Sequence, residues 1–257
     1  MKTIILAGGL GTRLSEETTL KPKPMVEIGG MPILWHIMKI YSFYGYNDFA
    51  VALGYKGDII KDFFLNYKLH KSDMIINLKS GDAKFENDTS ENWNVGLHET
   101  GSNSMTGGRL FSLKKLFKSG ETFMLTYGDG VADININELV QFHKSHGKIA
   151  TLTAVRPPAR FGSIIMNDNG LIKEFKEKPQ VGEGWINGGY FVFDYRIFNY
   201  LKGISTILER EPLENLSNDN ELMAYKHNGF WHCMDTIRDK DNLNEIWATG
   251  NAPWKKY

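Results

Sequence analysis

The residues that could do chemistry in this chain are phosphate-binding types held on stiff or glycine-rich supports. Leu6-Ala7-Gly8-Gly9-Leu10-Gly11-Thr12-Arg13-Leu14 follows a short apolar run at the start of the sequence. Its glycines free the backbone for positive φ and let N–H groups point at an anion. Arg13 adds a planar fork of donors suited to phosphate. No Gly-Lys-Ser/Thr closes this loop, so it is not a Walker-type loop, and it lacks the third glycine of the dinucleotide fingerprint. Lys21-Pro22-Lys23-Pro24-Met25 comes next. Its prolines hold their preceding residues extended, so Lys23 is aimed from a rigid support.

Gly128-Asp129-Gly130 ends a second apolar run. Ligands of open parallel sheets bind beyond the carboxyl ends of the strands, so a substrate or metal can approach Asp129 closely there. Glu177-Lys178-Pro179 repeats the lysine–proline device, and Trp185-Ile186-Asn187-Gly188-Gly189-Tyr190 carries a glycine pair into a strand. Glycine in a strand often marks close approach of a ligand. Met234-Asp235 sets another acid after the apolar stretch from Phe230. Singly, each motif has a plain structural counterpart: a strand-to-helix turn, solvated lysines, an Asp-Gly turn.

The elements that must position these residues alternate. Thr3–Leu6, Phe49–Leu53, Met74–Leu78, Thr122–Thr126 and Ala150–Val155 read as strands. Between them, Pro32 opens a helix carrying Ile33, Leu34, Ile37, Ile40, Tyr41 and Tyr44, and Gly45 stops it. Gly57-Asp58 caps a helix with Ile59, Ile60, Phe63 and Phe64 on one face, and another helix holds Leu139, Val140 and His143. This succession predicts an α/β fold: a mostly parallel, doubly wound, Rossmann-like sheet with helices on both faces. After Pro157-Pro158, Ser163–Met166, Ile172–Glu177 and Trp185–Phe193 suggest added antiparallel hairpins, and a last helix holds Leu243, Ile246 and Trp247. The expectation is one domain over residues 1–257, with a polar insertion at 79–93 and a sugar-binding portion at about 157–235. The insertion is too long and polar to close a hairpin, so it is expected to pack on a neighbouring subunit.

Composition bounds the partners. With 30 acidic and 30 basic residues the formal net charge is zero, so no global field draws the chain to nucleic acid or to an anionic membrane. The single cysteine, Cys233, can form no internal disulfide, and no zinc spacing exists. No secretory leader and no bilayer-length apolar run is read, which points to a soluble, cytoplasmic protein.

Taken in order, the six motifs closely resemble those of the sugar nucleotidyltransferase family, from Thr3 to about Asp235. Thr100-Gly101-Ser102-Asn103-Ser104-Met105-Thr106-Gly107-Gly108-Arg109 looks like the base-recognition stretch of the glucose-1-phosphate cytidylyltransferase branch, as does the 79–93 insertion. Uridylyl and thymidylyl relatives usually carry Gly-Leu-Ala-Gln-Ala where this chain has Gly96-Leu97-His98-Glu99-Thr100.

The resemblance implies transfer of the cytidylyl group of CTP to α-D-glucose 1-phosphate, giving CDP-glucose and pyrophosphate, for dideoxysugar and O-antigen biosynthesis. It implies that Leu6, Ala7, Gly8, Gly9, Leu10, Gly11, Thr12, Arg13, Lys23, Ser104, Thr106, Arg109 and Gly128 bind nucleotide. Arg13, Lys23 and Asp129 would be catalytic, and Asp129 with Asp235 would hold Mg²⁺. Glu177, Lys178, Asn187, Gly188 and Gly189 would bind the sugar phosphate. A homo-oligomer, a hexamer by the same resemblance, is expected. A sugar phosphate is already largely ionised at neutral pH, its second pKa lying near ~6, so no general base is required. The expected catalysis is positioning and charge stabilisation. Within the Ser104–Arg109 stretch, Arg109 is expected to face O2 or N3 of the base, because a guanidinium cannot accept from N4. Two rivals are a non-catalytic nucleotide-binding regulator, which should have lost one of these lysines or acids, and a dehydrogenase, which the imperfect glycine fingerprint disfavours.

Overall fold

The computed structural model describes residues 1–157, 163–166, 172–176 and 184–257. β1 (Thr3–Leu6) runs into the glycine-rich turn and a short helix, α1 (Ser15–Thr18). A tight hairpin of β2 (Glu27–Ile28) and β3 (Met31–Pro32) feeds α2 (Ile33–Phe43). Next come β4 (Asp48–Leu53), α3 (Gly57–Leu65), α4 (Tyr67–Lys71), β5 (Asp73–Ile76), β6 (Ala83–Glu86) and β7 (Asn94–Glu99). α5 (Thr106–Ser112), β8 (Thr122–Tyr127), β9 (Gly130–Ala132), α6 (Ile136–His146) and β10 (Ala150–Val155) follow. The last elements are β11 (Ser163–Met166), β12 (Ile172–Lys176), β13 (Ile186–Asp194), α7 (Glu211–Asn218), β14 (Leu222–His227), β15 (Trp231–Cys233) and α8 (Ile237–Ala248).

The central sheet has seven strands in the order β14-β10-β13-β8-β1-β4-β7. β8, β1, β4 and β7 are mutually parallel, as are β10 and β14, while β13 runs antiparallel between β8 and β10. This is the expected mostly parallel sheet. Along β1 the side chains divide between two cores: Ile5 packs with Ile33, Ile37 and Met38 of α2, and Ile4 and Leu6 pack with Leu110 of α5 and Leu113. Burial on both faces is why these strands read as continuous apolar runs.

Three expectations need correction, and one strand was not expected. The stretch from Met74 is not a third strand of the main sheet: β5 pairs antiparallel with β6 in a hairpin of its own. The place beside β4 belongs to β7, whose alternating Val95, Gly96, Leu97 and His98 give no apolar run. The 79–93 segment does help close a hairpin, through a turn in which Asn77 N–H donates to Asp82 O at 3.0 Å and Gly81 N–H to Asn77 O at 2.8 Å. Pro32 lies one residue before α2, in an extended conformation with ψ 143°. β11 and β12 form the antiparallel hairpin that the sequence suggested.

Candidate active site

The carboxyl ends of the neighbouring parallel strands β1 and β8, with the segment that follows β7, supply most of a cavity of about 510 Å³. Its walls include Leu6 to Gly9, Gly11 to Arg13, Lys23, Ser104 to Thr106, Arg109, Gly128, Asp129, Glu209 and Asp235. Leu10, on the same loop, is exposed. Among the described residues the N–H groups of Gly8 to Gly11 have no protein acceptor, so four donors remain for an anion. Gly11 has φ +64°, and a Cβ there would stand 2.7 Å from Thr18 Cγ2. Thr18 Oγ1 fixes the turn by donating to Gly11 O at 3.1 Å and to Leu14 O at 3.0 Å.

A second cavity, about 310 Å³, lies against the first and is lined by Ile186 to Tyr190, Trp231 and Cys233. The two share Arg13, Tyr127, Asp129 and Asp235. Chain direction explains the adjacency. Because β13 is antiparallel to β8, its first residues emerge beside the last residues of β8, with Tyr190 opposite Thr126. Asn187 donates to Tyr127 Oη at 3.1 Å and accepts from Gly189 N–H at 2.9 Å. Gly188 O accepts from the Trp231 indole at 2.7 Å. Gly189 needs its positive φ of +79° and lies against Tyr127, where a Cβ would stand 2.5 Å from the ring. Glu177 and Lys178 lie outside the described residues.

A small hairpin assembles the acids. β9 continues from Asp129 and pairs antiparallel with β15, setting Gly130 opposite Cys233, and Met234 N–H donates to Asp129 O at 2.8 Å. This carries Asp235 to Asp129, and both carboxylates meet the Lys23 ammonium, at 2.6 Å for Asp129 and 2.5 Å for Asp235. Arg13 adds an ion pair to the other oxygen of Asp235 at 2.8 Å from a mostly exposed position. Burial alone would lower the Lys23 pKa, but Asp129 and Asp235 outweigh it and hold the ammonium above its ordinary value. Burial opposes ionisation of Asp235 too, yet Lys23 and Arg13 keep that carboxyl below its usual range. Two hard carboxylates converging on one cation are a donor set that suits Mg²⁺. Among the described residues no cluster of three or more His, Cys, Asp or Glu side chains offers another metal site.

Arg109, which also lines the cavity, is 4% exposed. Its Nη1 donates to Leu53 O at 2.9 Å, Thr100 Oγ1 at 2.8 Å and Gly101 O at 2.8 Å. Its Nη2 donates to Gly8 O at 2.7 Å and Ser102 O at 3.3 Å. Both terminal nitrogens thus have at least as many protein acceptors as N–H groups. The guanidinium, expected to face the base, lines the cavity and ties the glycine loop to the end of β4 and to the loop after β7. Glycine makes room for it, since a Cβ on Gly8 or Gly54 would stand 2.3 and 2.4 Å from guanidinium atoms.

The neighbouring Gly107 and Gly108 are closely packed. A Cβ on Gly108 would stand 2.0 Å from Ile204 O, because the 203–209 loop closes on α5. Ser104 Oγ donates to Thr100 O. Thr106 Oγ1 donates to Glu209 at 2.6 Å, and Tyr127 Oη donates to the other oxygen of the same carboxylate at 2.5 Å. Burial and the Glu209 charge raise the Tyr127 pKa. Glu209, Tyr127 and Trp231 are site residues that the motif reading missed. Glu209-Arg210-Glu211 reads as an ordinary charged surface run, and only its neighbours in space mark it out.

Comparison with known proteins places the chain in a family. Residues 2–235 match the nucleotidyl transferase family model. The chain is 51% identical over 257 residues to a glucose-1-phosphate cytidylyltransferase of Salmonella typhimurium (strain LT2), covering 100% of both chains. It is 43% identical over 256 residues to a Bacillus subtilis (strain 168) protein described as a probable glucose-1-phosphate cytidylyltransferase, covering 99% of each. The crystal structure of HddC from Yersinia pseudotuberculosis has the same fold, with a TM-score of 0.70 at 22% identity, covering 96% of this chain and 99% of that one. A family match over nearly the whole chain, and relatives that align with it from end to end, establish that it belongs to the nucleotidyl transferase family.

Proposed function

We propose that the protein transfers the cytidylyl group of CTP to α-D-glucose 1-phosphate, releasing pyrophosphate and CDP-glucose. One observation carries the two-substrate reading: two cavities meet at Arg13, Tyr127, Asp129 and Asp235, where a donor and an acceptor phosphate would have to come together. The choice of base and sugar comes from the full-length cytidylyltransferase relative. The glycine-loop N–H groups, Arg13 and Lys23 bind the triphosphate. Asn187 and the Gly188-Gly189 backbone bind sugar hydroxyls, and Glu177 and Lys178 complete that subsite. Asp129 and Asp235 hold Mg²⁺, which neutralises phosphate charge when bound. CDP-glucose then serves dideoxysugar and O-antigen synthesis in the cytoplasm.

The sugar phosphate attacks the α-phosphorus of CTP in line, with pyrophosphate leaving. Its oxygen is already ionised, and among the described residues lining the cavities no side chain is an activated nucleophile. Cys233, the one thiol, is pushed up to about 12 by burial and by Asp235 and Asp129. Catalysis therefore rests on holding two anionic substrates in line. The test is to incubate the protein with each NTP and several sugar 1-phosphates and measure pyrophosphate. CTP with glucose 1-phosphate should be strongly preferred, with intersecting initial-rate lines. Equal use of CTP and UTP would refute the base assignment, and parallel lines would refute direct transfer.

A homo-oligomer, by resemblance a hexamer, is part of this reading. The β5–β6 hairpin leaves Ile75 61% and Leu78 91% exposed, with Ile76, Phe85, Leu65 and Leu69 also exposed nearby in the chain. Apolar surface gathered on one projection favours burial against a second copy. Sedimentation of the active enzyme as a monomer would reject this.

A further inference from the structure

The two carboxylates that fit a divalent cation already share a cation of the chain itself. Lys23 Nζ stands 2.6 Å from Asp129 Oδ2 and 2.5 Å from Asp235 Oδ1, and Arg13 Nη1 stands 2.8 Å from Asp235 Oδ2. Three of the four carboxylate oxygens are therefore met by protein cations. The two cations are held differently. Arg13 is 75% exposed, whereas Lys23 is 13% exposed and rises between Pro22 and Pro24. Lys23 thus has its base fixed and its tip at the junction of the two cavities.

We propose that Lys23 is a resident counter-ion of the Asp129–Asp235 cleft, displaced when a nucleotide triphosphate arrives, so that a divalent cation binds the cleft well only together with nucleotide. The proposal rests on the metal assignment made above. Two adjacent carboxylates repel each other unless a cation stands between them, and the Lys23 ammonium supplies that cation. It is tethered, so it competes with a free ion at high effective concentration. A triphosphate entering along the glycine loop offers this ammonium a denser cluster of anionic oxygens than two carboxylates do. A lysine answers by swinging its flexible stem and redirecting its three donors, which a planar guanidinium locked into a fork cannot do. Movement of Lys23 onto phosphate then leaves Asp129 and Asp235 free for the divalent ion. The coupling is reciprocal: if nucleotide strengthens metal binding, metal strengthens nucleotide binding by the same factor.

The experiment titrates Mn²⁺ as probe and reads free Mn²⁺ by electron paramagnetic resonance, so it does not depend on turnover. The proteins are wild type, Lys23→Met, Lys23→Met with Asp129→Asn, and wild type with Asp129→Asn. Thermal melting first checks that each is folded, and Lys23→Gln takes the place of Lys23→Met if the latter is not. Without nucleotide, Lys23→Met should bind Mn²⁺ at least ~10-fold more tightly than wild type, within the usual range of coupling between sites. The added Asp129→Asn change should abolish that gain. In wild type, a CTP analogue with a non-cleavable α,β bridge should bind more tightly with Mn²⁺ present, and Asp129→Asn should remove the difference. Equal Mn²⁺ affinity of wild type and Lys23→Met without nucleotide, with the Asp129-dependent effect on the analogue intact, would overturn the proposal and leave the metal assignment standing. Absence of any Asp129-dependent Mn²⁺ effect, with or without analogue, would overturn both.

Discussion

Arg109 and Lys23 both bring a positive charge to the lining of the same cavity, and the molecule holds the two charges in different ways. Arg109 is buried among main-chain carbonyls of Leu53, Gly101, Gly8 and Ser102 and the Thr100 hydroxyl. All but the Thr100 hydroxyl belong to the main chain of three segments and cannot leave. Lys23 is held by two carboxylates whose side chains remain 28% and 19% exposed. Those acceptors can take another cation. One wall is therefore a fixed frame that sets the shape of the larger cavity, and the other is a charge centre whose partners can exchange. A planar guanidinium with five donors suits the first task, and a flexible ammonium suits the second.

The sharpest way to break this comparison is to remove charge from the exchangeable wall. Asp129→Ala should lower turnover by at least ~10²-fold, the scale of losing one preorganised electrostatic contact in a transition state. Fold and melting temperature should change little, because Asp129 is half-buried and its carboxylate oxygen meets only a lysine that keeps Asp235. Treatment with EDTA should also silence the wild type, and added Mg²⁺ should restore it. Full activity after EDTA, measured as pyrophosphate release, would remove the metal from the scheme.

The fixed wall should respond in the opposite pattern. Arg109→Ala removes five hydrogen bonds that tie three segments together, each worth about 0.5–1.5 kcal/mol net, although Leu53 O, Gly8 O and Gly101 O keep main-chain donors. Its melting temperature should fall, and its preference for CTP over UTP should erode by about tenfold, equivalent to roughly one hydrogen bond's net worth. Arg109→Lys should rescue little, since one ammonium cannot span acceptors on three loops. Gly8→Ala pushes a methyl into the same guanidinium and should weaken CTP binding in the same direction. Unchanged base selectivity and melting temperature in Arg109→Ala would show that the frame is not needed.

The smallest effect is expected beside the exchangeable wall. Cys233 Sγ lies 3.7 Å from Asp235 Oδ2, yet burial and the two acids push its pKa up to about 12. Stability and reactivity should not vary with this group near neutral pH, because its thiolate forms only as pH approaches that value. Iodoacetamide at pH 7 should leave activity intact, and Cys233→Ala should turn over close to wild type. Rapid inactivation that tracks alkylation of Cys233 would mean that the acid cleft opens far more than its geometry suggests.

The amino-acid sequence by itself determined the parallel half of the sheet and the glycine and proline supports. Strands buried on both faces need unbroken apolar runs, so Thr3–Leu6, Phe49–Leu53 and Thr122–Thr126 announced themselves, and the loops after them were legible from local backbone needs. Tertiary structure decided what depends on distant pairing. β7 is an edge strand whose Gly96 and His98 give no apolar pattern, so only its register with β4 reveals it. The β9–β15 hairpin, not any spacing in the chain, puts Asp235 beside Asp129. Antiparallel β13 delivers Asn187 to Tyr127, and the closing of the 203–209 loop delivers Glu209 to Thr106. Arg109 is the clearest case. Its place in the motif told that a cation lines the pocket, but a guanidinium donates to whatever acceptors the fold brings near. Those acceptors are carbonyls of loops that meet only after β1, β4 and β7 have paired.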